Sequence, residues 1–254
     1  MIRYGLIGFP INHSFSTGYF AEKFLSEGLT EYRYDLFPME SADGLSALIV
    51  ANPELRGLNV TIPHKVAVMK FLHNLDPIAE AVGAVNTIDI THTKNKIILK
   101  GYNTDVTGFE ASLIPLLKHR HKKALVLGTG GASKAVKYVL DKLEIAATFV
   151  SRQPVSTDQL SYQEINREII EAHLLIIQTT PLGKYPDTET YPPIPYRYLT
   201  SGHLLFDLNY NPGITKFLSL GLEHGTDVIN GLKMLHLQAD ASWSLWKQSM
   251  IECG

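Results

Sequence analysis

A glycine-rich turn between an apolar strand and an amphipathic helix constrains the fold of this chain more than any other segment. The strand is predicted over residues 124–127, and the turn over residues 128–133 reads GTGGAS. The helix that follows carries apolar residues at helical spacing, namely Ala132, Ala135, Val136, Val139, Leu140 and Leu143. Here glycines let the backbone approach a phosphate, whose charge the first N–H groups of the helix attract. Alternatively, the glycines only let the strand and helix pack closely.

Strand and helix patterns alternate on both sides of this turn, which predicts an α/β fold. The other predicted strands cover residues 4–8, 32–37, 58–62, 87–90, 147–150, 174–178 and 204–208. One intervening helix face is formed by Val68, Phe71, Leu72 and Leu75, and a last helix is predicted over residues 231–250. We predict an N-terminal open α/β domain (1–103), a Rossmann-like doubly wound dinucleotide-binding domain (104–230) and a C-terminal helix (231–254) that returns to the N-terminal domain. A ligand is expected in the cleft between the two domains.

Composition indicates a globular, unexported chain. Hydrophobic residues make up 45% of the 254 residues and charged residues 19%, and no run of eighteen apolar residues occurs. The single cysteine, Cys253, forms no intrachain disulfide, which favours a reducing cytoplasm. A net charge of −2 gives no general attraction to nucleic acid or membrane, and no histidine has metal-ligand spacing. We therefore expect a small-molecule partner, no metal, and a monomer or homodimer.

The residues after the second strand of the dinucleotide domain indicate the cofactor. An acid at this place binds the ribose hydroxyls of NAD, but here the chain reads Ser151-Arg152-Gln153. The planar donors of Arg152 suit the 2′-phosphate of NADP. The alternative is an exposed loop arginine without a ligand.

The run Asn59-Val60-Thr61-Ile62-Pro63-His64-Lys65 contains a lysine in an unusual place. Thr61 is a good helix cap and Pro63 suits the first helical position, so Lys65 is predicted in the first turn of a helix. The helix dipole disfavours a cation there by about 0.3–1 kcal/mol. Such a lysine is a candidate proton donor to a developing alkoxide. Alternatively, Lys65 is an ordinary solvated surface lysine.

Together these motifs resemble the shikimate dehydrogenase family, in the family's order and over nearly the whole chain. The segments that carry the resemblance are GLIGFPINHSFS, NVTIPHK, AVNT, GYNTD, GTGGAS, SRQ, QTTPLG and FDLNYNP. The chain departs from the family at Thr17, where a proline is usual, in SRQ, where NRT is usual, and at Lys233, His236 and Asp240. The resemblance implies that the N-terminal domain binds the substrate.

The resemblance also implies the site residues. Lys65 and Asp105 would form the catalytic pair. The implied substrate-binding residues are Ser14, Ser16, Thr61, Asn86, Asp105, Tyr210 and Gln238. The implied NADP-binding residues are Gly128, Thr129, Gly130, Gly131, Ala132, Ser151, Arg152, Gln153, Thr179, Leu208 and Gly231.

Most of these residues also have structural explanations. Asp105 suits the start of a helix, Asn86 a turn, and Tyr210 an apolar core with its hydroxyl at the surface. Ser14 and Ser16 are both typical of turns that bond the backbone. Gln238 follows Met234 and Leu235 at helical spacing, so its amide faces the apolar side and needs a partner, either substrate or backbone.

The implied reaction is reversible hydride transfer between NADPH and the C3 carbonyl of 3-dehydroshikimate, which gives shikimate on the route to aromatic amino acids. Lys65 would protonate the alkoxide or stabilise it electrostatically, and Asp105 would orient Lys65. One alternative is an NAD-using quinate/shikimate dehydrogenase, which Arg152 opposes. Another is a non-catalytic ligand-sensing module on the same fold.

Overall fold

The computed structural model describes residues 1–11, 14–94, 96–157 and 159–253, and it leaves the side chains of residues 252 and 253 undescribed. The Cys253 side chain, on which the compartment prediction rests, is therefore outside the described part. The chain divides into two compact units. The first unit comprises Met1–Thr104 and Gln238–Gly254, and the second unit comprises Asp105–Leu237.

A six-stranded mixed sheet forms the centre of the first unit. Its strands are β1 (Ile2–Gly8), β2 (Tyr32–Pro38), β3 (Leu55–Val60), β4 (Asn74–Leu75), β5 (Thr87–His92) and β6 (Ile97–Tyr102), in the order β2-β1-β3-β5-β6-β4. Strand β5 is antiparallel to both neighbours, whereas the other pairs are parallel. Helices α1 (Ser16–Ser26), α2 (Leu45–Ala51) and α3 (Pro77–Val82) and the 3-10 helices Ala42–Gly44 and Ala67–Phe71 connect the strands.

The second unit is a fully parallel sheet of six strands. They are β7 (Lys123–Leu127), β8 (Ala146–Ser151), β9 (Gln159–Ser161), β10 (Leu175–Gln178), β11 (Leu204–Asp207) and β12 (Asp227–Ile229). Its helices are α4 (Asp105–Leu113), α5 (Gly131–Lys142), α6 (Arg167–Ala172) and α7 (Lys216–Glu223), with 3-10 helices at Ile114–Leu116, Tyr162–Glu164 and Tyr196–Tyr198. The strand order β12-β11-β10-β7-β8-β9 reverses between β7 and β10. This order is that of the doubly wound dinucleotide fold, so the predicted fold class is confirmed.

The last helix, α8 (Leu232–Cys253), passes from the second unit into the first. Trp243 and Trp246 are each 1% exposed and pack with Tyr4, Phe20 and Phe24 in an aromatic cluster. The Trp246 indole Nε1 donates a hydrogen bond to the Ile88 carbonyl at 3.0 Å. The predicted return of the C-terminal helix to the N-terminal part is therefore confirmed.

The helix predicted to start near Thr61 is wrong. Strand β3 ends at Val60, Lys65 lies in a turn, and only a short 3-10 helix begins at Ala67. The Lys65 carbonyl accepts a hydrogen bond from the amide of Val85, in the segment between α3 and β5, at 2.7 Å. This bond takes the place of the hydrogen bond that the Lys65 carbonyl would accept within a helix. The dipole argument for Lys65 consequently does not hold.

The helix face predicted around Val68 to Leu75 is also wrong in its secondary structure. The His73 amide bonds the Leu99 carbonyl at 2.9 Å, and the Asp76 amide bonds the Gly101 carbonyl at 2.8 Å. These bonds draw the segment to strand β6 as the short strand β4. The apolar side chains still enter one core, since Val68 is buried and Phe71, Leu72 and Leu75 pack against the same cluster.

Within the described ranges, no helix is both long enough and apolar enough to cross a membrane.

Candidate active site

The glycine-rich turn lies at the carboxyl end of β7, beside the point where the strand order reverses. Gly128 has a φ of +113°, and a Cβ there would lie 2.6 Å from the Thr179 hydroxyl. Gly130 precedes the first residue of α5, and a Cβ built on it has no neighbour within 4 Å. Ligands of such sheets bind outside the carboxyl ends of the strands at the reversal. The turn therefore offers bare backbone and a helix N-terminus where a pyrophosphate is expected.

Ser133 occupies the place of the third glycine in the dinucleotide fingerprint. It is 2% exposed, and its hydroxyl donates to the Gly130 carbonyl at 2.7 Å. The serine closes the turn against its own backbone, so its side chain stays inside the helix start. This departure from the fingerprint is compatible with the turn geometry.

The residues after β8 form a turn of their own. The Ser151 hydroxyl donates to the Gln153 carbonyl at 3.0 Å and accepts from the Gln153 amide at 3.2 Å. Between them Arg152 is exposed. Residues 151–157 include no acid. The turn therefore presents a guanidinium where an NAD-specific site has a carboxylate.

Three further predicted cofactor residues follow β10, β11 and β12. Thr179 bonds the Leu127 carbonyl through its amide at 2.9 Å and its hydroxyl at 2.8 Å. A Cβ on Gly231 would lie 2.1 Å from the Leu208 carbonyl oxygen, so only glycine fits beside that backbone. Together with Gly128, these residues lie along the carboxyl edge of one parallel sheet.

Asp207 lies at the end of β11 and is fully buried. Its carboxylate accepts hydrogen bonds from the Thr215 hydroxyl at 2.6 Å and the Asn209 amide at 2.9 Å. Burial raises the pKa of Asp207 from 3.8 to about 7, although both hydrogen bonds oppose the rise. Because Leu208 is the next residue, Asp207 fixes the start of the loop that carries it.

In the first unit, the structure brings two predicted substrate-binding residues together. The Asn86 amide nitrogen donates to the Gln238 side-chain oxygen at 3.3 Å. Asn86 is 2% exposed, and its side-chain oxygen accepts from the Thr104 amide at 2.7 Å. The predicted inward direction of the Gln238 amide is therefore confirmed. Its role in binding substrate stays a prediction.

Ser14 and Ser16 lie at the start of α1. The Ser14 hydroxyl accepts from the Ser16 amide at 3.2 Å, so the turn contact considered from sequence does occur. Ser16 hydrogen-bonds the buried Tyr34, in which burial raises the pKa of the phenol and the Ser16 bond lowers it. Thr61 packs against Gly8, where a Cβ would lie 2.4 Å from the threonine methyl.

The residues of the expected catalytic pair lie on different elements. Lys65 is half-buried in the turn after β3, and Asp105 is 4% exposed at the first position of α4. The pairing of Lys65 with Asp105 and the role of Tyr210 stay predictions. Asp240, one of the departures, accepts a hydrogen bond from Tyr19 at 2.6 Å and pairs with Lys23, which joins α8 to α1.

The sequence analysis did not identify the buried polar residues that form the hydrogen-bond network around Asn86. These residues are Asn59, Thr87, Thr104 and Ser242. Two signals could have identified them. Asn59 interrupts an apolar strand pattern, and Ser242 follows Gln238 by one helical turn, so both side chains face inward.

A parallel doubly wound sheet with a glycine turn at its reversal point, joined to a second α/β unit, defines a dinucleotide-binding protein of the NAD(P)-dependent dehydrogenase class. Residues 6–88 match the family model described as the shikimate dehydrogenase substrate binding domain. A shikimate dehydrogenase (NADP(+)) from Methanococcus maripaludis is 36% identical over 259 residues, covering 95% of this chain and 90% of that protein. The chain belongs to the shikimate dehydrogenase family.

Solved structures agree with this assignment. Shikimate 5-dehydrogenase from Thermus thermophilus, in complex with NADP(H) and shikimate, is similar with a TM-score of 0.83 and 28% identity, over 98% of this chain and 94% of that chain. Quinate dehydrogenase from Corynebacterium glutamicum, in complex with NAD, is similar with a TM-score of 0.83 and 25% identity, over 97% of this chain and 94% of that chain. The fold thus serves more than one cofactor and substrate.

Proposed function

We propose that this chain catalyses the reversible NADPH-dependent reduction of 3-dehydroshikimate to shikimate, a step in aromatic amino acid biosynthesis. One observation carries the proposal: the similarity to an NADP-dependent shikimate dehydrogenase extends over 95% of the chain. It therefore includes both the unit that contains Asn86 and Gln238 and the unit that contains the glycine turn.

The second unit fits NADP. Gly128 and Gly130 leave backbone without side chains at the helix start, and Arg152 is exposed at the end of β8. Residues 128–132 would hold the pyrophosphate, Arg152 with Ser151 and Gln153 the 2′-phosphate, and Thr179, Leu208 and Gly231 the nicotinamide side. When bound, the nicotinamide supplies or accepts the hydride.

The first unit supplies most of the residues for the substrate. Ser14 and Ser16 would bind the carboxylate, and Thr61, Asn86 and Gln238 the ring hydroxyls, with Tyr210 and Asp105 from the second unit. Lys65 would protonate the alkoxide that forms on the substrate, and Asp105 would orient the ammonium group.

A quinate dehydrogenase that uses NAD is the second candidate, because such a protein shares the fold. Arg152 and the missing acid after β8 favour NADP. Initial rates with shikimate or quinate and NADP⁺ or NAD⁺ separate the candidates, since the proposal predicts the highest kcat/KM for shikimate with NADP⁺.

The decisive experiment is the absorbance of reduced nicotinamide in a mixture of protein, shikimate and NADP⁺. Absorbance should rise with time. No rise, with shikimate binding intact by calorimetry, would favour the ligand sensor instead. We further propose a cytoplasmic location, supported by the single cysteine, and a monomer or homodimer, which light scattering after size-exclusion chromatography distinguishes.

A further inference from the structure

Four buried polar side chains form a cluster beneath Asn86, and we call it the hydroxyl cluster. Its members are Asn59, Thr87, Thr104 and Ser242, which are between 0% and 6% exposed. They come from β3, β5, the residue before α4, and α8. Polar groups at such depth are costly unless hydrogen-bonded, so their arrangement is strongly constrained.

Ser242 is the centre of the hydroxyl cluster. Its hydroxyl lies 2.8 Å from the Thr87 hydroxyl, 3.1 Å from the Thr104 hydroxyl and 3.0 Å from the Asn59 amide nitrogen. The same hydroxyl donates to the Gln238 carbonyl, one turn earlier in α8, at 2.9 Å. A serine has one hydrogen and two acceptor positions, so these four neighbours exceed its capacity by one.

One arrangement of hydroxyl protons uses the shortest of these contacts and leaves each donor with an acceptor. Ser242 donates to the Gln238 carbonyl and accepts from Thr87 and from Thr104, while the Asn59 amide nitrogen donates to the Thr87 hydroxyl at 3.2 Å. The Thr104 hydroxyl can then accept from the Asn86 amide nitrogen at 2.9 Å, while the Thr104 backbone amide donates to the Asn86 oxygen at 2.7 Å. By accepting the Thr104 proton, Ser242 leaves the Thr104 hydroxyl as an acceptor for Asn86, and together with the Thr104 backbone amide it holds the Asn86 amide in this direction.

The Asn86 orientation set in this way directs its second amide hydrogen to Gln238. That bond is long, at 3.3 Å. A substrate hydroxyl, which both donates and accepts, can replace it by accepting from Asn86 and donating to Gln238. The hydroxyl cluster also reaches the other predicted binding residues, because the Tyr34 hydroxyl donates to the Asn59 oxygen at 2.8 Å and hydrogen-bonds Ser16.

We propose that Ser242 is a positioning residue for the substrate: through the Thr104 hydroxyl, it helps to hold the Asn86 amide in the orientation that receives a ring hydroxyl of the substrate. The inference rests on the proposed function for the identity of that substrate. Ser242 itself is fully buried and acts only through Asn86 and Gln238.

The chain contains a matched control for this proposal. Ser244 lies on the same helix, and its hydroxyl makes the same bond to a carbonyl one turn earlier, that of Asp240, at 2.9 Å, but it is exposed. Ser242→Ala and Ser244→Ala therefore remove equivalent helix contacts. Only Ser242→Ala also removes the hydroxyl at the centre of the hydroxyl cluster.

Steady-state kinetics test the proposal first. Ser242→Ala should raise the KM for shikimate about tenfold, because the Thr87 and Thr104 hydroxyls lose their acceptor and the Asn86 amide is held less firmly. The KM for NADP⁺ should stay within about twofold, and Ser244→Ala should match the unchanged protein. Equal KM values for shikimate in the two variants would overturn the proposal.

A double-mutant cycle distinguishes positioning from a general loss of structure. If Ser242 acts through Asn86, Ser242→Ala should have almost no further effect on the KM for shikimate in an Asn86→Ala background. Fully additive effects would show that Ser242 contributes independently of Asn86, which contradicts the proposal.

A spectroscopic measurement separates this inference from the proposed function. The side-chain NH₂ resonances of Asn86, assigned by their loss in Asn86→Ala, can be followed by NMR without substrate. Ser242→Ala should shift them and speed their hydrogen exchange, whereas Ser244→Ala should not. Unchanged resonances in Ser242→Ala would refute the positioning role even in a protein without dehydrogenase activity. Inactivity of the unchanged protein would instead refute the proposed function.

Discussion

Lys65 is positioned by its backbone rather than by a helix terminus, because its carbonyl accepts the Val85 amide at 2.7 Å. We expect Lys65→Ala to lower kcat by about 10²–10⁴-fold, the usual contribution of a general acid or base. Lys65→Arg should remain within about tenfold of Lys65→Ala, since a guanidinium keeps the charge but donates its proton poorly. Asp105→Asn should also lower kcat. Wild-type turnover in both Lys65→Ala and Asp105→Asn would remove the catalytic pair.

Lys70→Ala provides the control for Lys65, because Lys70 is an exposed lysine nearby that pairs with Asp43 at 2.9 Å. Exposed ion pairs contribute little, so this variant should keep the unchanged kcat. Recovery of most of the activity in Lys65→Arg would assign Lys65 to electrostatic stabilisation instead of proton transfer.

Asp207 makes the stability of the fold depend on pH. Its pKa is raised from 3.8 to about 7, so between these values the folded chain holds a proton that the unfolded chain has lost. The contribution of Asp207 to stability is therefore greatest below pH about 4 and declines as the pH rises to about 7. Across that window the loss is up to about 4 kcal/mol.

We expect Asp207→Asn to abolish this decline, because the amide is neutral at every pH and retains an acceptor for the Asn209 amide. The free energy of unfolding, measured with urea from pH 4 to pH 8, should fall less for Asp207→Asn than for the unchanged protein. The two curves should separate progressively up to pH about 7. Parallel curves would contradict a buried, proton-binding Asp207.

For single residues, the residue type and its neighbours in sequence predicted the placement of some side chains but not of others. The inward amide of Gln238 follows from helical spacing, and the special backbone of Gly128 follows from the glycine pattern between strand and helix. The hydroxyl cluster could not be predicted, because its members are separated by up to 183 positions and meet only through the tertiary fold. The helical backbone predicted for Lys65 was wrong for a similar reason. Its hydrogen bond with Val85 joins two separate segments of the chain, and local helix propensity does not reveal such a contact.

Among the elements, α8 has the clearest structural task, which is to fill the aromatic cluster of the first unit. Trp246 stacks on Tyr4 with ring centroids 4.7 Å apart, and a Cβ on Gly57 would lie 2.3 Å from its indole nitrogen. We expect Trp246→Ala to cost about 3–5 kcal/mol of stability, as for other large buried aromatics. Thermal and urea unfolding measure this change.

Trp246→Phe is the matched comparison, because it keeps an aromatic ring and removes the donor to the Ile88 carbonyl. It should cost about 1–3 kcal/mol, the penalty for one buried group without its partner. If the two variants were equally stable, ring packing would not be the main contribution of α8.

Strand prediction succeeded where the apolar pattern was strong, as in β7 and β10, whose residues are almost completely buried. It failed for β6, where a mixed sequence pairs antiparallel with β5. It also failed for β9 and β12, which are three residues long and lie at the sheet edges. Such short edge strands depend on a neighbour that a local pattern does not reveal.

For the molecule as a whole, cofactor choice should be visible as a stability difference. NADP⁺ at 100 times its dissociation constant should add about 2.7 kcal/mol to the free energy of unfolding. NAD⁺ at the same concentration should add less, because it lacks the 2′-phosphate that Arg152 is proposed to bind. Calorimetric Tm values with each nucleotide measure the difference.

Arg152→Ala should bring the Tm shifts caused by NADP⁺ and NAD⁺ close together, mainly by reducing that of NADP⁺. Arg197→Ala serves as the control, since Arg197 is also exposed in the second unit but contacts Tyr198. Equal shifts for both nucleotides in the unchanged protein would show that Arg152 does not select the cofactor.

The hydroxyl cluster also has a consequence for biosynthesis of the chain. Asn59, Thr87 and Thr104 leave the ribosome well before Ser242, which belongs to α8. Until that helix has been translated, three inward-facing polar groups lack their common partner and must remain hydrated. A nascent chain arrested before residue 242 should therefore bind no shikimate, even when the earlier strands have already paired.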